Sequence, residues 1–171
     1  MSKSKHRNYY IGIVIAALII LAILYYFKIY ESAKIKKYSR SYLVTSGAVN
    51  LNVDSLDGID QVFSEAAENY FVFVSYTEDE AEYKLETKLK TIIDDYGLKD
   101  NFYLVNTTYM EEDEERDLYE RLNDSFKLNK DKINSIPIII YFDKDKKDYK
   151  IIDPNKLESF LIKNNFEKVS Q

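Results

Sequence analysis

From Tyr9 to Phe27 the chain reads YYIGIVIAALIILAILYYF, a run without a single charge. As a helix rising about 1.5 Å per residue it covers ~28 Å, the thickness of a bilayer's hydrocarbon core. Tyr9 and Tyr10 at one end, and Tyr25 and Tyr26 at the other, stand where an aromatic belt meets the headgroups. Lys3, Lys5 and Arg7 would also suit a secretory signal. The run, however, exceeds the roughly 7–15 apolar residues of a signal peptide, and no small-x-small site follows closely. It is therefore read as an uncleaved transmembrane helix over 9–27. A basic tail (1–8) precedes it and a basic stalk (28–47) follows, leaving 48–171 for one soluble domain.

Charge separates the two parts. Residues 1–47 hold eight basic side chains and one acidic one, whereas the remainder holds 16 basic and 28 acidic, a net −12. Such a domain is repelled by nucleic-acid phosphates, so no nucleic acid is expected as partner. The stalk cations Lys28, Lys34, Lys36, Lys37 and Arg40 rival the N-terminal cluster, so the positive-inside rule leaves orientation undecided. Because long domains translocate largely regardless of charge, the expected location is the cell membrane, single-pass, with the domain outside the cytoplasm. The chain contains no cysteine, and its one histidine is His6. Disulfides, thiol nucleophiles, Ser–His–Asp triads and histidine-rich zinc sites are excluded on that count. No cofactor is expected.

The soluble part alternates strand and helix signals. Asn50–Val53 reads as a short strand, and Leu56–Glu68 as a helix capped by Asp54 or Ser55. Tyr70–Tyr76 (YFVFVSY) is the continuous apolar run of a strand buried on both faces. Thr77 and Glu80 form a T-x-x-E capping box for a long helix ending at Gly97. Phe102–Asn106 is the next strand. A helix from about Asp113 to Phe126 carries the stripe Leu118, Leu122, Phe126. Ile138–Phe142 and Tyr149–Ile152 form a hairpin, and Asp153-Pro154 opens a last helix. The order β-α-β-α-β-α-β-β-α predicts an α/β domain whose parallel strands are followed by an antiparallel hairpin.

Two segments carry a resemblance. Phe71–Leu89 (FVFVSYTEDEAEYKLETKL) resembles the strand, active-site turn and first long helix of thioredoxin-like proteins, most of all the bacteriocin transport accessory type. In those proteins a β-run leads into Cys-x-x-Cys and then Lys-Phe-Glu-Pro-x-Leu, which Lys84-Leu85-Glu86-Thr87-Lys88-Leu89 resembles, with Leu85 for the phenylalanine and Thr87 for the proline. The cysteine positions fall on Asp79 and Glu82. Ile133–Phe142 (INSIPIIIYF) is similar to the element in which a cis-proline faces that turn, with Pro137 as the proline and Ile136 before it. The resemblance implies a thioredoxin-like fold, a central mixed sheet with flanking helices, over about Asn50 to Phe166. It also implies a peptide groove lined by Ile136, Pro137, Tyr76 and Ala81. The oxidoreductase activity does not carry over without cysteine, so the expectation is a redox-inactive, non-enzymatic pseudo-oxidoreductase. That would be a binding or scaffold module at a bacterial cell envelope with a peptide or protein partner. The alternative is an accessory factor for export, maturation or immunity of a secreted peptide.

Asp79 and Glu82, three residues apart, would share a face and could address one cation. The favoured reading is plainer: with Glu78 and Glu80 they complement the positive end of the helix, since two carboxylates alone hold Ca²⁺ or Mg²⁺ poorly. The run Glu111–Glu115 has the same explanation. Asp143, Asp145 and Asp148 lack the glycine and closing glutamate of a calcium loop and read as a charged turn. Asp94 and Asp95 stand at a helix C-terminus, where carboxylates are mildly unfavourable.

Overall fold

The computed structural model describes residues 3–66, 69–110, 117–128 and 132–169. Two compact units divide between Lys37 and Tyr38. The first holds helix α1 (Lys3–Tyr38) up to Lys37, unbroken through the polar stretch after the apolar run. Its Tyr10–Tyr38 portion is long and apolar enough to cross a membrane. Ile11, Leu18, Ile20 and Leu24 are all at least half exposed.

The second unit opens with a short helix α2 (Tyr42–Thr45), followed by β1 (Asn52–Val53), α3 (Ile59–Glu65), β2 (Tyr70–Ser75), α4 (Glu80–Asp95) and β3 (Phe102–Asn106). After these come α5 (Leu118–Ser125), β4 (Ile138–Asp143), β5 (Asp148–Ile152) and α6 (Leu157–Lys163). The sheet order is β1-β3-β2-β4-β5. Strands β1 and β2 run parallel to β3, whereas β4 runs antiparallel to both β2 and β5. That order and those directions are the thioredoxin-like fold predicted from the sequence.

All six residues of β2 are buried, and their alternation feeds two cores. Phe71 and Phe73 join Leu89 and Ile93 of α4, Leu157 and Leu161 of α6, and Leu43 of α2 on one face. On the other, Tyr70, Val72 and Val74 meet Ile59 and Val62 of α3, Leu122 of α5 and Phe126 at its C-cap. Full burial of each such side chain contributes about 1.5–3 kcal/mol. Leu43 has no exposed surface at all, so residues 38–47, expected in a stalk, begin the folded unit instead. The flanking cations conceal this in the sequence, because one buried leucine gives no periodic signal.

Other boundaries moved for local reasons. α4 is capped by Asp79, whose carboxylate accepts from the amides of Ala81 (2.7 Å) and Glu82 (3.0 Å). The Thr77–Glu80 box does not form because the Thr77 amide donates to Thr108 Oγ1 at 2.6 Å. α3 starts only at Ile59, after the turn through Gly58, and has no side-chain cap. Asp153 and Pro154 open a 3-10 turn (Pro154–Lys156) ahead of α6 rather than α6 itself. The start of the helix expected from Asp113, and the acidic run Glu111–Glu115, lie outside the described residues; the rest is α5, capped by Asp117.

The C-terminal carboxylates of α4 find partners. Lys168 Nζ stands 2.8 Å from Asp95 and 3.2 Å from Glu158, with its cation over the ring of Tyr96. Lys90 pairs with Asp94. The cations offset the unfavourable end of the helix.

Gly58 is required by a close approach: a β-carbon there would lie 2.8 Å from Val53 Cγ1. Gly58→Ala should destabilise the domain by about 1–3 kcal/mol, as overpacking does. A double-mutant cycle with Val53→Ala in chemical denaturation should return most of that cost, and additive costs would show that the contact is not the cause.

Candidate functional site

The parallel strands β2 and β3 end side by side, and their following loops are bound together. The Thr107 amide and hydroxyl both donate to the Ser75 carbonyl, at 2.8 and 3.0 Å. Thr108 Oγ1 donates to Asn106 Oδ1 at 2.8 Å while accepting from Thr77. Glu78 has a left-handed backbone, φ 71°, and its amide donates to the Tyr38 carbonyl at 2.7 Å. Its carboxylate accepts from the Tyr109 hydroxyl at 3.0 Å. The turn that the resemblance aligns with an active-site loop is thus held at Thr77, Glu78 and Asp79 by three different parts of the domain.

Asp79 and Glu82 do not converge. Asp79 is exposed and spent on the helix cap, whereas Glu82 is 4% exposed and turned inward, where Ser75 Oγ donates to its Oε1. The shared cation-facing arrangement is therefore not formed, and no group of three or more metal-ligating side chains occurs among the described residues. Likewise Asp143 binds Lys146 and Asp148 accepts from the Tyr149 amide, so the hairpin aspartates form a charged turn.

The β2–β4 register ends at Val74 opposite Ile138. Pro137 and Ile136 therefore leave the sheet at the end where Ser75 and Tyr76 leave it. The Ile136–Pro137 peptide bond is cis. Asn123 of α5 fixes the approach to it by donating to the Ile133 carbonyl (2.9 Å) and accepting from the Ile133 amide (2.7 Å). Ile136, Pro137 and Tyr76 are half-buried and Ala81 is exposed. Burial, together with Glu82 and Asp79, raises the Tyr76 phenol, which stays neutral at physiological pH.

One turn beyond Glu82 stands Glu86, 2% exposed. Its Oε2 accepts from the amides of Tyr42 and, at 3.3 Å, Leu43. Its Oε1 is buried without a hydrogen-bond partner. Tyr83 packs against Tyr38 and Tyr42 at ring separations of 5.3 and 5.2 Å. The sequence reading missed Glu86, Ser75 and Tyr83. A signal existed: 82, 86, 89 and 93 follow a 4-3-4 spacing, so both glutamates share the stripe of the buried Leu89 and Ile93.

No family model matches the chain, and no curated protein does. Among solved structures, a thioredoxin of Trichomonas vaginalis is similar over 70% of this chain and 99% of its own, at 13% identity and a TM-score of 0.47.

Burial lifts the Glu82 carboxyl from 4.5 to about 7, with Glu86 and Asp79 adding to the rise and the Ser75 hydrogen bond opposing it. The unfolded carboxyl ionises near its ordinary value, so Glu82 contributes its full stability only below about pH 4.5, and that contribution is lost as pH rises through about 7. Glu82→Gln should flatten this dependence. It should make the chain more stable than wild type above neutrality, by at most about 3 kcal/mol. Urea denaturation followed by circular dichroism at pH 5 and pH 8 tests it; equal pH dependence in both proteins would refute it.

Proposed function

We propose that this protein is a membrane-anchored, redox-inactive binding module of the cell envelope, whose peptide-sized surface lies between Tyr76, Ala81, Ile136 and Pro137. The observation that carries the reading is the pairing of two facts at one end of the sheet. Both positions aligned with cysteine hold carboxylates engaged elsewhere, Asp79 in a cap and Glu82 in the core. The neighbouring surface nevertheless keeps Ala81 exposed and the other three side chains partly accessible. Strand ends joined by parallel crossovers are where α/β folds bind ligands. An extended peptide there can use main-chain hydrogen bonds for affinity and side-chain pockets for specificity. The apolar surface of α1, exposed along Ile11–Phe27, supports anchoring, because a face of that size needs lipid or protein to cover it. The match of Lys84–Leu89 to bacteriocin transport accessory proteins suggests a setting, the handling of a secreted peptide. Exporter and peptide genes beside this one would support it.

Thiol exchange requires a thiolate. The full-length chain in detergent is expected to leave insulin reduction by dithiothreitol at the uncatalysed rate. A photocrosslinking residue at Ala81 should form a discrete adduct in cells, while the same probe at exposed Ile162 should not. Catalysed reduction, or equal labelling at both positions, would overturn the reading. Protease added to intact protoplasts should remove the domain and leave α1; protection until lysis would place it in the cytoplasm. A mature N-terminus beyond Phe27 would replace the anchor by a cleaved signal.

A further inference from the structure

Glu82 and Glu86 are buried one helical turn apart, and neither has a salt-bridge partner among the described residues. From the end of β2, Ser75 and Tyr76 face them, and from the preceding turn Asp79 does. From the segment ahead of β1 come Ser41, Tyr38 and Tyr42, with Tyr83 of α4 against the two tyrosines. Lys90, also near Tyr42, is held by Asp94. Among the described residues, the groups named in contact with the pair are thus neutral or acidic. Two ionised carboxylates in that setting repel one another in a medium that screens them weakly, so one of them takes up a proton. The donors decide which. Glu86 receives two backbone amides, whereas Glu82 receives one hydroxyl. Glu86 remains the anion, since hydrogen bonds to a charged acceptor are the stronger kind.

We propose that the Glu82–Glu86 pair is a proton-operated clasp that holds α2 against α4 while Glu82 carries a proton and loosens α2 when it does not. Loss of the proton places a second buried charge beside Glu86, whose unpartnered Oε1 has no donor with which to absorb the repulsion. The contact that yields is the one made by the Tyr42 and Leu43 amides, because α2 is only four residues long while α4 is anchored by Leu89 and Ile93. α2 is also the first element of the domain after the apolar helix in the chain. Opening the clasp therefore converts folded residues into tether.

The test is amide exchange on the full-length chain in nanodiscs, with protection corrected for intrinsic exchange, between about pH 5 and 8.5. Protection at Tyr42 and Leu43 should fall by up to about tenfold per pH unit as pH rises towards neutrality, the limit for one linked proton, and level off above it. Glu82→Gln should abolish the fall, and Val72 and Val74 of β2 should stay better protected than Tyr42 and Leu43 at every pH, because α2 opens without the sheet. Constant protection at Tyr42 and Leu43 in wild type, an equal fall in Glu82→Gln, or β2 amides no better protected than those of α2 would each overturn the clasp. Carboxyl carbon NMR of the unsubstituted chain gives a second measure. A Glu82 midpoint near neutrality supports the proposal, and one in the ordinary carboxylate range overturns it.

Discussion

Strand β2 is buried on both faces, and that constraint organises the domain. A six-residue run with no solvent side needs helices above and below, partners at both edges, and its polar ends at the rim. α4 and α6 satisfy one face, α3 and α5 the other, while β3 and β4 take the edges. The chain can leave such a strand only at its tip, so the turn after Ser75 falls where the loop after β3 and the entry to β4 also arrive. The candidate surface is a consequence of that crowding. Thr77 to Thr108, Glu78 to Tyr109 and Asn123 to Ile133 are hydrogen bonds that immobilise it.

The strands were legible because their patterns are local. YFVFVS and FYLVN are apolar without interruption, and the hairpin has a polar turn between two β-type runs. Legibility failed where a polar side chain occupies an apolar position. Glu82 was assigned to the helix dipole by residue type and Glu86 was passed over, although their spacing with Leu89 and Ile93 places them inside. α2 was invisible for a related reason: four residues cannot display a period, and the interaction that fixes them comes from Glu86, 43 residues beyond Leu43. Helix starts shifted because Thr77 had a long-range partner in Thr108 that no local rule contains. Asp94 and Asp95, puzzling at a helix C-terminus, make sense once Lys90 and the distant Lys168 are placed beside them.

At Asp79 and Glu82, which the sequence resemblance sets against a cysteine pair, the two carboxylates are treated differently. A helix N-terminus lowers the cost of a thiolate, and the same amides here are occupied by the Asp79 carboxylate from within the chain. Glu82, one turn inward, is removed from that field and placed against Ser75, and burial dominates. The two carboxylates thus sit in opposite environments three residues apart: one exposed and bonded to the first amides of the helix, the other buried and pushed towards the neutral acid.

A buried acid is costly to keep unless it does something that a leucine cannot. Replacing buried ionic groups by well-packed apolar ones is often neutral or stabilising, so stability alone does not favour Glu82 and Glu86. Glu86 does have such a task, because the Tyr42 and Leu43 amides need an acceptor where α2 meets α4, and no apolar side chain supplies one. Glu82 lacks an equivalent. Ser75 Oγ lies 3.4 Å from the Tyr76 carbonyl, so an apolar residue at 82 would leave that hydroxyl an alternative acceptor. What Glu82 adds is a charge that depends on pH, set one turn from the carboxylate that anchors α2. Structural need explains the second glutamate, and responsiveness to protons is the property that the first one brings.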